Sequence, residues 1–365
     1  MKKVGLIILL IAIIVAVIAV VFATRTHRDT NFNEDNPTII VTSFIAYDVV
    51  REVAGEHVNL INLLAPGVEM HSFDPSPADI IRIQNADMFI YVGGQMEQWT
   101  TRVLETANVN DVMVVRLIDA VELLENPYYD HDHSHSHDDN HAHSDSHSHS
   151  HSDDHGHSTQ AQENGQSYSH VSDHGHSNHD HSHDHDHSHG VYDEHIWTSP
   201  ENVIRITQFV TEALILLDNT HEEEIRENAA RHIAEIRALQ VQIREIVENG
   251  VRTKLVVGDR MPMQYFLSEF GLTASAAFSG CSTDVEPSAS HIADLVRTIR
   301  EERIPVVLYL ELGTGRLART IADEVGVPAM QLHSFHNVSV VDFNNGETFV
   351  SLMTRNLAVL EYALH

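Results

Sequence analysis

TIIVTSFIAYDVVREVAGEHVNLINLL, residues Thr38 to Leu64, is the stretch whose reading decides the fold. Thr38 to Thr42 is rich in β-branched residues and reads as a strand. Phe44 to Ala54 reads as a helix, and Val58 to Leu64 returns to a short apolar strand. The alternation continues outward with a helix over Ser76 to Ala86 and strands over Met88 to Val92 and Val112 to Leu117. Strands alternating with helices predict a parallel sheet with helices on both faces, an α/β lobe.

A second round begins near Leu255. Strands over Leu255 to Val257, Val306 to Leu310 and Ala329 to Leu332 alternate with helices over Gln264 to Glu269, Pro287 to Glu302, Arg316 to Val325 and Thr348 to Tyr362. Between the two rounds, Ser199-Pro200-Glu201 opens one helix, with Ser at the cap, Pro in the first turn and an acid near the positive end of the dipole. The next helix, Glu222 to Glu248, places Ile225, Ala229, His232, Ile233, Ile236, Leu239, Ile243 and Ile246 at spacings of three and four before Asn249-Gly250 ends it. Roughly 27 residues at about 1.5 Å each reach about 40 Å, enough to run past both lobes. The expected fold is two α/β lobes joined by a long backbone helix, with a ligand cleft outside the carboxyl ends of the strands.

Two segments stand outside that fold. Lys2 and Lys3 precede an apolar run from Val4 to Ala23, which at about 20 residues is long enough to span a bilayer. It reads as an uncleaved membrane anchor, with Val21-Phe22-Ala23 as the cleavage site of a secreted alternative; either way the remainder lies on the extracytoplasmic side. From about Asp130 to His189 the sequence is almost entirely His, Ser, Asp, Gly and Asn and holds about twenty of the 30 histidines. Such a segment cannot pack a core and is expected to be a disordered loop that collects metal at many weak, exchangeable sites. The organisation read from the sequence is an anchor or signal segment at 1–30, a first lobe at 38–128, the His-rich loop at 129–190, a helical connection and spine at 191–250, and a second lobe at 251–365.

A net charge of −31 with only 22 Lys and Arg excludes a phosphate-binding surface of the kind nucleic acid requires. One cysteine, Cys281, excludes an internal disulfide and any Cys-rich zinc finger, so a metal site must rest on His and carboxylates. His221-Glu222-Glu223-Glu224-Ile225 lacks the second His of a zinc protease, Gly313-Thr314-Gly315 is too short for a dinucleotide fingerprint, and no phosphate-binding GxxxxGK[ST] loop or Gly-x-Ser-x-Gly elbow is present.

Pro66-Gly67-Val68-Glu69-Met70-His71-Ser72-Phe73-Asp74-Pro75-Ser76-Pro77 follows a strand and precedes a helix, which puts His71 in a loop at the carboxyl end of the first sheet. His195, in Asp193-Glu194-His195-Ile196-Trp197-Thr198-Ser199-Pro200, lies in the turn that opens a helix. Pro66, Gly67, His71, Pro75, Pro77 and Asp79, followed by His195, Trp197, Ser199, Pro200 and Glu201 after a His-rich loop, resemble the hallmarks of the ABC-importer substrate-binding proteins for zinc and manganese. The likeness covers roughly Thr38 to the C-terminus. It implies two α/β lobes, a rigid linking helix and a cleft metal site to which His71 and His195 contribute.

The second lobe departs from that pattern. The resemblance implies a third ligand in Gly258-Asp259-Arg260-Met261-Pro262-Met263-Gln264-Tyr265-Phe266, where Arg260 occupies the matching position and cannot ligate a cation. Asp259 or Cys281 could substitute, Cys281 being equally readable as a small buried residue. A fourth ligand is expected in Leu332-His333-Ser334-Phe335-His336, with His333 aligning best and His336 in reserve as ligand or support. Glu311, after the strand Val306 to Leu310, could ligate, orient a ligand or form a plain ion pair. Imidazole where the family often has Asp favours Zn2+ over Mn2+.

The implied partners are an ABC permease with its separate ATPase, for a monomeric carrier that is not an enzyme. The rival reading is a surface metal buffer or sensor that works through the His-rich tract, with Arg260 the feature that sustains it. A zinc hydrolase, a third class, would need an open coordination position and a nearby base.

Overall fold

The structure, a computed structural model, describes residues 32–126, 192–278 and 287–365. The apolar run Val4 to Ala23, the His-rich tract and Cys281 lie outside the described residues. Among the described residues no helix is long and apolar enough to cross a membrane.

Each lobe is built on a four-stranded parallel sheet, and the two sheets share one strand order. In the first, β1 (Thr38–Val41), β2 (Asn59–Asn62), β3 (Met88–Tyr91) and β4 (Met113–Arg116) are arranged β2-β1-β3-β4. In the second, β5 (Lys254–Val257), β6 (Thr273–Ala276), β7 (Val307–Tyr309) and β8 (Ala329–Gln331) are arranged β6-β5-β7-β8. In both, the chain leaves the first strand to one side and returns to the other, so a crevice opens at the carboxyl ends beside β1 and β5.

The crossovers are made by helices whose ends the sequence marks. Ser43 Oγ accepts from the Ala46 amide to cap α1 (Phe44–Ala54), and Ser76 and Asp79 form a capping box on α2 (Pro77–Gln84). α3 (Gln98–Thr106) completes the first lobe. Ser199 caps α4 (Pro200–Leu217), which leads into α5 (Glu222–Asn249), the spine. The second lobe adds α6 (Gln264–Phe270), α7 (Ala289–Glu302), α8 (Arg316–Val325), α9 (Val340–Asn344) and α10 (Phe349–Leu364).

The spine buries Ile225, Ala229, His232, Ile233, Ile236, Leu239 and Ile243, the stripe expected from their spacing. That stripe packs on α1 from the first lobe, on α4, and on α10 from the second. A single apolar core therefore runs through both lobes, holding Ile39 and Val49 together with Ile236, Leu255 and Leu360. The outer faces of the sheets carry two smaller cores, one around Phe89 and Trp99 and one around Val256, Leu295 and Ile321.

Three elements exceed the sequence reading. β6 is made of Thr273-Ala274-Ser275-Ala276, small residues that give no apolar run. α3 rests on Trp99, Thr100 and Val103 alone and α9 buries no side chain, so neither gives a long apolar stripe.

His232 is the one buried imidazole on the spine. It is 2% exposed and its Nε2 has no hydrogen-bond partner among the described residues. Burial, with Arg231 and Arg51 nearby, pulls its pKa down to about 4. Below about 6.5 the unfolded chain takes up a proton that the folded chain refuses until about 4, so this group removes stability as the pH falls through that window. His232→Leu is expected to flatten the decline in the urea-unfolding midpoint between pH 7 and pH 4.5; an unchanged slope would show that His232 is not the source.

Candidate metal centre

Three loops carry histidines to one point. His71 sits in a 3-10 turn, Met70–Ser72, that follows β2, with Met70 buried beneath it. The loop leading to it is tied to the other lobe: the Gly67 amide donates to Val338 O at 2.8 Å, and Asn337 Nδ2 donates to Ala65 O at 2.9 Å and Val68 O at 2.8 Å.

His195 immediately precedes a second 3-10 turn, Ile196–Thr198. Its segment is anchored on both sides. Glu194 accepts from the Gln95 and Met96 amides, approaching Gly94 so closely that no side chain fits there. Trp197 Nε1 donates to Ser334 O of the second lobe at 3.1 Å, and Tyr265 Oη donates to Asp193 O at 2.7 Å.

His336 follows β8 through a turn in which Phe335 takes φ 60°, a left-handed conformation that a bulky side chain rarely adopts. Packing holds it there: Phe335 is 1% exposed, with its ring 4.6 Å from Phe349 and 5.0 Å from His333. Glu311, just past β7, fixes the same turn by accepting from Ser334 N at 2.8 Å, Ser334 Oγ at 2.9 Å and His336 N at 3.1 Å.

The result is a cluster of His71, His195 and His336 in which one ring nitrogen from each lies within 4.8 Å of the others. Donors around a tetrahedral zinc ion stand about 3.4 Å apart, given bonds of about 2.0–2.1 Å, so small side-chain movements suffice to make a metal site of it. The side chain of His71 is 25% exposed, those of His195 and His336 only 7% and 9%.

Two of the imidazoles are oriented by carboxylates two residues upstream. Asp193 Oδ1 is 2.7 Å from His195 Nδ1 and also accepts the His195 amide; Glu69 Oε1 is 2.9 Å from His71 Nδ1. A carboxylate on Nδ1 selects the tautomer whose Nε2 lone pair is available to a cation. Burial would raise the pKa of Glu69, but the His336 and His71 imidazoles beside it outweigh that and hold the carboxyl well below its usual range. Asp193 is likewise held low, the charge and hydrogen bonds of His195 outweighing burial. Burial lowers the pKa of His336 against the opposing pull of Glu69, whose Oε1 is 3.1 Å from His336 Nε2.

His333, the residue expected at this point, is not in the cluster. Its Nδ1 accepts the Phe335 amide at 3.1 Å, its backbone is clasped by Asn356, and the turn at Phe335 brings His336 to the cluster in its place. Glu311 lies 3.6 Å from His333 Nδ1 and holds the turn, outside the cluster. Asp259 and Arg260 line a cavity of about 110 Å³ beside His71 and His336, with neither in the cluster. Cys281 lies outside the described residues. Glu69 and Asp193 escaped the sequence reading although a signal was there: both histidines stand in an acid-x-His triplet.

The sequence profile of the ZnuA family, described as zinc-uptake complex component A, periplasmic, matches residues 39–155 and 152–363. The chain belongs to the ZnuA family. It is 26% identical over 364 residues to the zinc-binding lipoprotein AdcA of Streptococcus pneumoniae serotype 4, covering 99% of this chain and 61% of that protein. It is 22% identical over 330 residues to the high-affinity zinc uptake system protein ZnuA of Bacillus subtilis, covering 90% of this chain and 88% of that one. The chain thus spans about three-fifths (61%) of the AdcA relative's length. Its fold matches the crystal structure of the Zn(II)-bound ZnuA-like domain of Streptococcus pneumoniae AdcA with a TM-score of 0.65 at 22% identity, over 90% of this chain and 99% of that one. The pair of parallel sheets is thus the fold of ZnuA-like proteins.

Glu311 gives a test of how the His336 turn is held. Glu311→Ala strips buried Ser334 and His336 amides of their acceptor, and is expected to cost about 1–3 kcal/mol in urea unfolding. A loss below about 0.5 kcal/mol would mean that Phe335 packing alone holds the turn.

Proposed function

We propose that this chain is an extracytoplasmic carrier that binds one zinc ion on His71, His195 and His336, with one further donor, and delivers it to an ABC importer. The observation that supports this reading most is the convergence of three imidazoles from separate loops of both lobes, two of them backed by carboxylates. Relatives named as zinc-binding or zinc-uptake proteins add weight. An all-imidazole set suits zinc better than manganese, which prefers oxygen donors.

In this reading the protein is a monomer that carries out no reaction of its own. The permease and its ATPase are separate chains, and the run Val4 to Ala23 anchors or exports the mature protein. The tract at 129–190 raises the local metal concentration and passes ions to the cleft. The alternative, a buffer acting through the tract alone, drew its force from Arg260; three histidines meet without a donor from that position.

Competition titration against a chelator separates the readings. One tight zinc site is expected, weakened at least 100-fold by His71→Ala, His195→Ala or His336→Ala and less than threefold by His333→Ala. A tight site indifferent to all three, or one lost with His333, would overturn the assignment. The ligands must be neutral, so affinity is expected to fall as the pH drops from 7.5 through about 6.5 to 5. Constant affinity across that range would count against imidazole ligation.

Asp193→Ala is expected to weaken the tight zinc site about 10–100-fold without abolishing it, because it removes the group that orients His195. An unchanged affinity would make the Asp193 contact structural only.

A further inference from the structure

We propose a second metal site, outside the cleft, formed by His57, His221 and Glu224 and suited to a divalent transition-metal ion such as zinc. His57 ends the 3-10 turn Gly55–His57 that follows α1, His221 stands at the N-cap position of the spine, and Glu224 lies in the spine's first turn. One potential donor atom from each of the three lies within 4.8 Å of the others. His57 Nε2 is 3.0 Å from Glu224 Oε2, and the rings of His57 and His221 stack with centroids 3.7 Å apart and planes 15° from parallel.

The third donor sets this cluster apart from a simple ion pair. A His57–Glu224 ion pair by itself would be an ordinary surface contact worth about 0–1 kcal/mol, and it requires His57 to be protonated. Stacked rings direct their in-plane nitrogen lone pairs roughly parallel, so a small rotation of one ring brings both onto a cation that Glu224 also reaches. Two imidazoles and a carboxylate are a donor set that zinc takes readily, with water completing the sphere.

The helix N-terminus opposes a cation, since it carries about half a positive charge. Acids around it more than offset this. Glu222, Glu223 and Glu224 fill the first turn, with Glu222 engaged by Arg226, and Asp218 stands close enough to feel both histidines while hydrogen bonds from Thr220 hold its carboxyl low. His221-Glu222-Glu223-Glu224 lacks a second histidine in sequence, and His57 supplies it in space from the first lobe. An ion bound there clips the end of α1 to the start of the spine.

Carbethoxylation of histidines on the full chain, read peptide by peptide against free zinc set by a metal buffer, resolves these residues from those of the tract and the cleft. Zinc is expected to protect His57 and His221 with a common half-point, to do so equally in a His71→Ala background, and to leave His365 unprotected. In Glu224→Gln the half-point should rise tenfold or more. Unchanged modification of His57 and His221 up to millimolar zinc, or equal half-points with and without Glu224, overturns the site.

Discussion

One apolar core threads both lobes, and the remainder of the structure depends on it. Ile236 and Ile243 of the spine share that core with Ile39 and Val49 of the first lobe and Leu255 and Leu360 of the second. Separating the lobes would expose surface worth about 25 cal/mol per Å² on either side of the helix. The carboxyl ends of the two sheets are therefore held facing each other by packing, before any ligand contributes.

On that frame the loops need only short-range forces. Asn337 and the Gly67 amide join the His71 loop to the second lobe, and Trp197 joins the His195 turn to Ser334. Every histidine of the cluster is thus supported by hydrogen bonds that cross between lobes or by a buried carboxylate. The electrostatics follow from this closeness: Glu69 and Asp193 are held ionised beside the imidazoles, which favours a cation there, while burial works against a proton on the ring of His336 and Glu69 works for one.

The alternation of strands and helices was legible because it is local, written in β-branched runs, Ser caps and the three-and-four spacing of the spine. His71 and His195 were legible through the two motifs that resemble a known family, since a lone histidine in such a loop is by itself an ordinary surface or packing residue. The choice of His336 over His333 was not, because it turns on the left-handed backbone of Phe335, and that is imposed by Phe349 from a helix further along the chain. β6 stayed hidden for a related reason: Ala274 and Ala276 are small, and the strand exists through its pairing with β5. The orienting acids Glu69 and Asp193 could have been found, since the acid-x-His triplet occurs twice in the segments that mattered.

The unequal exposure of the three imidazoles imposes an order of events. His71 is a quarter open to water while its two companions are nearly sealed. If these rings hold an ion as proposed, one arriving from solvent meets His71 first and the interior pair after it, and leaves by the same route. In that reading the open ring sets the path of exchange, so substitutions of its neighbours that leave His71 itself in place change the rate of exchange before they change the affinity.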